Sequence, residues 1–359
     1  MLDVGRVKNY APKSAIKIDD QAAYMNAVID INHCIDCKIC ENVCQVNYPL
    51  EKKKQVAWFQ GLSNNEDVRK KSSSGGIAAE LSRTIIRKGG VVCSCKFENG
   101  DFVFRCAETE IELNGFAGFK YVKSNSDGVY KEILKYLNSD RTVLFIGLPC
   151  QCAGVKKLTI QCRKGKLYTV DLICHGTPSL KTLNTFMQQY HCNLEHIQHI
   201  SFRDKGKFSL KKDGTSIVMP GTMDCYSIAF LNGLIYTENC YECYYADSKR
   251  VTDLTIGDSW GTKLSDAGKG VSLILCNTVL GKELLEKSDV YITDVDIENA
   301  IASNPQLMHL TYIPQNRDIF FNGYEKNRKF NMLIVRCCTV KWFKQFIKRQ
   351  LIKLKILKV

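Results

Sequence analysis

Four cysteines near the start of the chain are separated by short, regular intervals. The stretch "INHCIDCKICENVCQVNYP", residues 31–49, has the pattern CxxCxxCxxxC and contains Cys34, Cys37, Cys40 and Cys44. Bacterial ferredoxins use this pattern to ligate 4Fe-4S clusters, and in two-cluster ferredoxins the fourth cysteine ligates the other cluster. The sequence has one such run. The spacing therefore predicts one iron–sulfur cluster whose fourth ligand is open.

Two further cysteines each follow an apolar stretch with the composition of a buried strand. Cys150 follows "TVLFIGLP" and Cys174 follows "LYTVDLI", and the segment between them is about long enough for a helical crossover between parallel strands. A right-handed crossover brings both strand ends to one edge of a sheet. Cys240 and Cys243 form a CxxC pair, which can ligate a metal centre from one turn. The four are candidate ligands of a second cluster. The alternatives are a partial zinc site at the CxxC pair and simple burial of Cys150 and Cys174.

The remaining cysteines have no spacing typical of a ligand set. Eighteen cysteines in a chain without an apparent signal peptide favour metal or redox chemistry in a reducing, cytoplasmic compartment over a disulfide framework. We interpret the others as packing or spare thiols: Cys93, Cys95, Cys106, Cys152, Cys162, Cys192, Cys225, Cys276, Cys337 and Cys338.

Small residues precede a helical pattern in the stretch "KKSSSGGIAAEL". Unpaired amides at a helix start suit a phosphate or pyrophosphate group, although Ser-Gly runs are also common as caps and turns. A second candidate is "GFKYVKSNSDGVY", in which two polar residues follow a Gly-containing turn. The candidate binding residues are Ser73, Ser74, Gly75, Gly76, Lys120 and Ser124.

These residues need a scaffold, and the order of elements indicates which one. From about residue 75, amphipathic helical segments alternate with short apolar, β-branched segments. This alternation predicts an α/β fold, mixed in character, with a partly parallel sheet. The stretch "FSLKKDGTSIVMP" predicts a hairpin around Asp213 and Gly214. The first 57 residues form a small ferredoxin-like module, and the segment from residue 51 to residue 76 is expected to be a polar connection.

The charge of the chain is concentrated at its end. The net charge is +13, and residues 341–359 contain seven Lys or Arg and no acidic residue. Phe343, Ile347, Leu351 and Leu354 recur there at helical spacing. The pattern is typical of a basic amphipathic helix on an anionic membrane or a partner; the alternative is a terminal helix packed on its own domain. No apolar run is long enough to span a membrane, and no motif or basic stripe in the body favours nucleic acid.

Six motifs in this order resemble the coenzyme F420 hydrogenase/dehydrogenase beta-subunit family, which includes plant 7-hydroxymethyl chlorophyll a reductase. They are "SSSGGI", "KYVKS", "GLPCQCAG", "DLICHGTPS", "CYECYYADSKRVTDLTIGDSWG" and "GVSLILCNT". The resemblance extends from about residue 11 to about residue 320. It implies a flavoprotein, usually with FAD, that passes electrons between iron–sulfur clusters and a substrate or deazaflavin.

The resemblance also implies roles for the candidate residues. It implies a 4Fe-4S cluster on Cys150, Cys174, Cys240 and Cys243, and flavin contacts around Ser73 to Gly76 and around Lys120 and Ser124. The domains expected are a 4Fe-4S module at 1–57 with a degenerate first half, a flavin and second-cluster domain at 58–330, and a basic tail at 331–359.

The family's N-terminal region usually has two ferredoxin runs, the first ending in Cys-Pro. Here "NYAPKSAIKI" resembles the end of that first run, with Ala11 in place of its last cysteine. Three outcomes remain open: Cys44 completes a 4Fe-4S cluster, three thiolates hold a 3Fe-4S cluster, or the module binds nothing. We favour one cluster with Cys44 nearby.

Three functional hypotheses follow. The first is a flavin-dependent oxidoreductase with a small-molecule substrate, in which His175 is the candidate proton donor. The alternative role for His175 is a hydrogen bond to a cluster sulfide or to backbone. The second is an electron-transfer subunit that serves a redox partner protein and has no substrate of its own. The third is a structural protein that binds zinc.

Overall fold

The computed structural model describes residues 14–160, 162, 164–265 and 267–358. Ala11 lies outside the described residues. The strands are β1 Ile16–Asp20, β2 Met25–Ile29, β3 Ala57–Ser63, β4 Val91–Glu98, β5 Asp101–Ala107, β6 Val143–Gly147, β7 Leu167–Leu172, β8 Ile200–Asp204, β9 Lys207–Lys212, β10 Thr215–Ser216, β11 Leu254–Asp258, β12 Ser272–Cys276 and β13 Val290–Asp294.

Helices alternate with these strands through most of the chain. They are α1 Ile39–Val43, α2 Glu66–Lys71, α3 Ile77–Arg87, α4 Val129–Asn138, α5 Pro149–Thr159, α6 Leu180–Gln188, α7 Cys225–Leu231, α8 Val279–Glu286, α9 Ile297–Ser303, α10 Arg317–Glu325, α11 Phe330–Cys337 and α12 Thr339–Lys353. Short 3-10 turns lie at Glu112–Phe116, Leu194–His196, Glu238–Cys240, Ala267–Lys269 and Pro305–Leu307.

The centre of the molecule is an eight-stranded sheet in the order β13-β3-β12-β11-β7-β6-β4-β5. Its middle strands β11, β7, β6 and β4 are parallel, whereas the pairs on either side are antiparallel. All five residues of β6 and of β12 are buried, as expected for strands covered on both faces. The predicted α/β class with a partly parallel sheet is confirmed.

The connection from β6 through α5 to β7 is the predicted helical crossover. The two strands are parallel, with Val143 opposite Leu167 and Gly147 opposite Asp171. Cys150 follows the end of β6 in the first turn of α5, and Cys174 follows the end of β7. Both thiols therefore lie at the carboxyl edge of the parallel strands.

The prediction of a polar connection between residues 51 and 76 is wrong. Residues 57–63 form β3, which pairs with β12 on one side and β13 on the other, and residues 66–71 form α2. Most residues of β3, "AWFQGLS", are only partly buried, and its apolar residues do not alternate with polar ones as in a typical strand pattern. Both of its hydrogen-bonding partners come more than two hundred residues later, so no local pattern indicates the pairing.

Two small antiparallel sheets accompany the central one. Strands β8, β9 and β10 form the first, and the turn between β9 and β10 is at Asp213 and Gly214, which confirms the predicted hairpin. Both turn residues have positive φ values, 44° and 78°, as a two-residue hairpin turn requires. Strands β1 and β2 form the second sheet, near the N-terminal cysteine run.

One prediction about the spare cysteines is also wrong. Cys93 on β4 and Cys106 on β5 are directly opposite each other, with a Cα–Cα distance of 4.1 Å, and form a disulfide. Cross-strand neighbours lie within disulfide reach, and this register arises from the pairing of the two strands rather than from the cysteine spacing.

Four helices enclose an aromatic core. Phe186, Tyr226, Phe320 and Phe330 are fully buried, and their rings contact one another. Burying each such ring contributes about 1.5–3 kcal/mol, so this cluster anchors α6, α7, α10 and α11. In the described part of the chain, no helix has the length and apolar character needed to cross a bilayer.

Candidate functional site

The four cysteines of the predicted second cluster line one cavity. Cys150 comes from the start of α5, Cys174 from the end of β7, and Cys240 and Cys243 from the turn after α7. Together they border a cavity of about 40 Å³, which we call the four-thiol cavity. The fold therefore brings together cysteines from three separate segments.

The surroundings of these thiols are those of a desolvated site. Burial raises the pKa of Cys174 to about 12 and that of Cys243 to about 11, with the nearby Cys240 adding to both shifts. The hydroxyl groups of Thr237 and Thr177 lie 3.4 Å and 3.8 Å from Cys240 Sγ. At neutral pH Cys174 and Cys243 keep their protons unless a cation displaces them.

A lysine with a buried ammonium group is also among the lining residues of this cavity. Lys123 lines it, and Lys123 Nζ has no hydrogen-bond partner among the described residues. Arg250 Nη1 lies 3.8 Å from Asp171 Oδ2, with both side chains buried, and the charge of Arg250 lowers the pKa values of Cys174 and Cys243. Cations beside thiols favour a group with net negative charge, such as an iron–sulfur cluster on four thiolates. The residues present fit that group.

Among the described residues, no three His, Cys, Asp or Glu side chains lie close enough together to hold a single metal ion. The four thiols thus share a cavity without forming a compact site for one ion.

His175 lines the same cavity and is the predicted proton donor. Its Nδ1 lies 2.9 Å from Gln306 Nε2, and its backbone oxygen accepts a hydrogen bond of 2.8 Å from Thr311. Burial lowers the pKa of His175 to about 4. The ring is therefore neutral at pH 7, and its role as a proton donor stays a prediction.

The predicted phosphate-binding residues lie around a second, larger cavity of about 220 Å³, which we call the Ser-Gly cavity. Ser73, Ser74, Gly76, Lys120 and Ser124 line it. The two stretches that contain them are linked, because Phe119 N donates to Ser73 Oγ at 3.0 Å.

Gly75 belongs to the same loop and has a structural reason to be glycine. A Cβ atom built there would lie 2.5 Å from the backbone oxygen of Gly61 on β3. Any larger residue would push the loop away from the sheet.

The Ser-Gly cavity has features that suit an anionic ligand with an apolar part. Residues 77–79 at the start of α3 line it, and the first amides of a helix have no partner within the helix. Lys71 and Arg83 also line it, together with Glu110, whose Oε2 lies 3.5 Å from Arg83 Nε. Lys120 Nζ donates to the backbone oxygens of Phe116 and Ala117, and burial lowers its pKa to about 8.

Two basic residues that the sequence analysis missed hold this loop in place. Arg203 Nη2 donates to Ser73 O at 3.0 Å and to Asp258 Oδ1 at 2.8 Å. Lys205 Nζ donates to Ser72 O at 2.6 Å. Both come from the end of β8 and the turn after it, a region without a recognisable motif, so no sequence signal indicated them.

The two cavities share a wall. Leu148 and Gln151 line both of them. Gln151 Oε1 accepts from Leu148 N at 2.9 Å, and Gln151 Nε2 donates to Ser124 Oγ at 3.0 Å. The residue after Cys150 therefore contacts a predicted ligand-binding residue of the other cavity. Cys95, interpreted as a spare thiol, also lines the Ser-Gly cavity.

The N-terminal cysteines lie in a different environment. Cys34 and Cys37 are exposed and Cys40 is partly buried, whereas Cys44 is fully buried beside Ile16 and in the same cluster as Cys40. Cys40 and Cys44 are therefore near each other, while the loop carrying Cys34 and Cys37 faces solvent.

The segment after Cys44 connects this module to the four-thiol cavity. Tyr245, which lines the cavity, donates from its hydroxyl to Gln45 O at 2.6 Å. Lys157 on α5 donates to Cys44 O at 2.9 Å and to Tyr48 O at 2.7 Å. The module is thus held directly against the elements that carry Cys150 and Cys243.

Comparisons with known proteins extend these observations. Residues 140–300 match the family described as the C terminus of the coenzyme F420 hydrogenase/dehydrogenase beta subunit. The fold is similar to a chain in the xenon-derivatized F420-reducing [NiFe] hydrogenase complex from Methanosarcina barkeri, with a TM-score of 0.51 and 18% sequence identity. The similarity covers 71% of this chain and 91% of that chain. No curated protein matches the sequence. Residues 140–300, which contain all four cysteines of the four-thiol cavity, are thus similar to the C-terminal region of the coenzyme F420 hydrogenase/dehydrogenase beta-subunit family, the family that the motifs resemble.

Proposed function

We propose that this protein is an iron–sulfur flavoprotein that transfers electrons within an oxidoreductase system. The proposal assigns a 4Fe-4S cluster to Cys150, Cys174, Cys240 and Cys243, and a flavin to the Ser-Gly cavity. Such clusters carry single electrons, and a flavin exchanges one or two electrons with a substrate or another centre.

The observation that carries the proposal is the shared wall of the two cavities. Four thiols line one cavity, an anion-binding loop lines the other, and Leu148 and Gln151 border both. Electron transfer requires redox centres to be close, and a wall of two residues meets that requirement.

The chain's own residues have separate tasks in this arrangement. The helix amides at the start of α3, with Lys71 and Arg83, would bind the phosphate of the flavin. Arg203 and Lys205 keep the loop in position.

The N-terminal module of residues 1–57 is the entry point for electrons in this proposal. Cys34, Cys37, Cys40 and Cys44 hold its cluster, and exposure of the first two places that cluster near the surface, where a partner protein can reach it. The contact between Tyr245 and Gln45 orients the module towards the four-thiol cavity. The remaining parts are the main domain at 58–330 and the basic tail at 331–359.

Two assignments of the electron acceptor are compatible with this geometry. The similar solved structure belongs to a multi-protein hydrogenase complex, which supports an electron-transfer subunit with a redox partner. The Ser-Gly cavity supports direct reduction or oxidation of a small molecule at the flavin. Both assignments need the same two kinds of cofactor.

The test is anaerobic purification of the full chain, followed by iron, acid-labile sulfide, zinc and flavin assays. We expect iron and sulfide in equal amounts, with a flavin released on denaturation. Zinc without sulfide would instead support the structural metal site and overturn the proposal. Lys71→Gln with Arg83→Gln should lower flavin content while leaving iron unchanged, and Lys131→Gln on α4 serves as the control for loss of a surface charge.

A further inference from the structure

The C-terminal helix α12 has three different stripes, each at the spacing i, i+3, i+7. Residues three and seven apart lie on one side of a helix. The first stripe is Val340, Phe343 and Ile347, the second is Lys341, Lys344 and Lys348, and the third is Trp342, Gln345 and Arg349.

The third stripe attaches the helix to the body of the protein. Trp342 packs against the aromatic core. Gln345 Oε1 accepts a hydrogen bond of 3.0 Å from Met223 N, and Arg349 Nε is buried. The orientation of α12 about its own axis is therefore set by these contacts.

The apolar stripe consequently points away from the body. At about 100° per residue, it lies roughly 160° around the helix from the attachment stripe. Val340 is 69% exposed, Phe343 53% and Ile347 42%. The alternative that this stripe packs on its own domain is thus wrong for these residues, since Trp342 takes that place.

The cationic stripe borders the apolar one, about 100° around the helix. Residues 339–359 contain seven basic and no acidic side chains, and Leu354 and Ile356 beyond the helix are also exposed. At 15 residues, α12 is about 22 Å long, and its alternating lysines exclude it as a membrane span. An exposed apolar stripe beside a row of lysines has the form of a helix that lies in the plane of an anionic bilayer.

We propose that α12 docks the protein onto an anionic lipid surface, with Phe343 and Ile347 inserted among the acyl chains and the lysine stripe on the headgroups. Charge complementarity decides the occupant, because an anionic lipid surface supplies both negative headgroups and an apolar layer directly beneath them. The helix lies flat on the membrane while its third stripe remains attached to the body.

The test measures sedimentation of the full chain with vesicles. Binding should be strong on an equimolar mixture of phosphatidylcholine and phosphatidylserine and weak on phosphatidylcholine alone. The triple variant Lys341→Gln, Lys344→Gln and Lys348→Gln should weaken binding on the order of a hundredfold. Each lysine near an anionic membrane surface strengthens binding by about fivefold, and three such factors multiply. Phe343→Ser with Ile347→Ser should weaken it at least roughly tenfold through lost apolar burial.

A charge-matched control distinguishes the effect of the α12 lysines from that of the overall positive charge of the chain. Lys88→Gln, Lys131→Gln and Lys135→Gln remove the same charge from exposed positions on other helices or at their ends. This control should leave vesicle binding nearly unchanged, and circular dichroism should show the same fold in all variants.

Three results would overturn the proposal. One is equal loss of binding in the control and in the helix variants. Another is equal affinity for neutral and anionic vesicles. The third is a dimer, seen by analytical ultracentrifugation, that Phe343→Ser with Ile347→Ser dissociates while vesicle binding stays absent; the stripe would then be a contact between copies of the chain.

Discussion

The two cysteine sets of this chain differ in how far the fold prepares them for a cluster. Cys34 to Cys44 lie within eleven consecutive residues, in a small module with two exposed thiols. The other four are spread from Cys150 to Cys243 and line one cavity, with Lys123 and Tyr245 beside them. A tight sequence motif therefore does not imply a more preorganised site. Two cysteines of the second set lie at the edge of a buried parallel sheet, whereas two of the first lie in an exposed loop.

The largest effect is expected from replacing one of the four cysteines that line the four-thiol cavity. Cys243→Ser should abolish the main-domain cluster, with loss of about four iron and four sulfide per chain, because four thiolates are needed to hold it. It should also lower thermal stability, since ligand binding and folding are coupled. Iron analysis and EPR measure this, with Cys162→Ser as the control for loss of a cysteine outside the cavity. Unchanged iron in Cys243→Ser would contradict the four-thiol assignment.

The next prediction compares how easily each set loses iron. A chelator should remove iron from the N-terminal module on the order of tenfold faster than from the four-thiol cavity, because the surrounding protein limits solvent access to the latter. Stopped-flow absorbance with EPR distinguishes the two phases. Cys44→Ser should speed the fast phase by removing the fourth ligand, and Ala11→Cys should slow it by adding a thiolate at the position where the resembling family has its ligand. A single phase unaffected by both variants would mean that the module is empty.

The third prediction concerns pH in the protein stripped of metal. Burial raises the pKa values of Cys174 and Cys243 to about 12 and about 11, against about 8.5 in an unfolded chain. Below pH ~8.5 both thiols are protonated in the folded and in the unfolded chain, so they do not make the free energy of unfolding depend on pH. As pH rises further, the thiols of the unfolded chain lose their protons first. For each thiol, the free energy of unfolding then falls by at most ~1.4 kcal/mol per pH unit.

Urea unfolding of the metal-free protein between neutral and strongly alkaline pH measures this slope. The double variant Cys174→Ala and Cys243→Ala should show a shallower decline. If its decline equals that of the wild type, these thiols are not kept protonated by burial.

A smaller effect is expected at the contact that joins the two regions. Tyr245→Phe removes the hydroxyl that donates to Gln45 O and leaves that oxygen without this donor. The free energy of unfolding should fall by about 1–3 kcal/mol. The N-terminal module should become more sensitive to limited proteolysis, and its cluster should reduce the second one more slowly. Tyr244→Phe, at an exposed neighbouring position, is the matched control. Equal behaviour of both variants would show that the contact does not couple the regions.

The smallest expected effect is electrostatic. Lys123 is one of the residues that line the four-thiol cavity, and its Nζ has no hydrogen-bond partner in the described part of the chain. Lys123→Gln should lower the reduction potential of that cluster by on the order of 50 mV, since a nearby cation favours the more negative, reduced state. Potentiometric titration followed by EPR measures the shift. A potential equal to that of wild type would place the ammonium group too far from the cluster to act on it.

Much of the local structure could be predicted from the sequence. The hairpin at Asp213 and Gly214 and the crossover between β6 and β7 depend on short-range patterns, and both are confirmed. Ser72, Ser73, Ser74 and Gly76 line the Ser-Gly cavity directly before the start of α3, and their role in binding a phosphate stays a prediction. The prediction failed at β3, where strand pairing spans the whole domain, and at the Cys93–Cys106 disulfide, which depends on register.

By itself, the sequence determined the class of fold, the candidate cysteines and the amphipathic character of α12, because cysteine spacing and side-chain periodicity are local features. Only the tertiary structure decided that four distant thiols share a cavity, that Gln151 lines both this cavity and the Ser-Gly cavity, and that Lys123 is among the lining residues. It also decided that Trp342, not Phe343, packs on the body. These outcomes depend on which surfaces compete for burial against a common core, and that competition involves residues far apart in the chain.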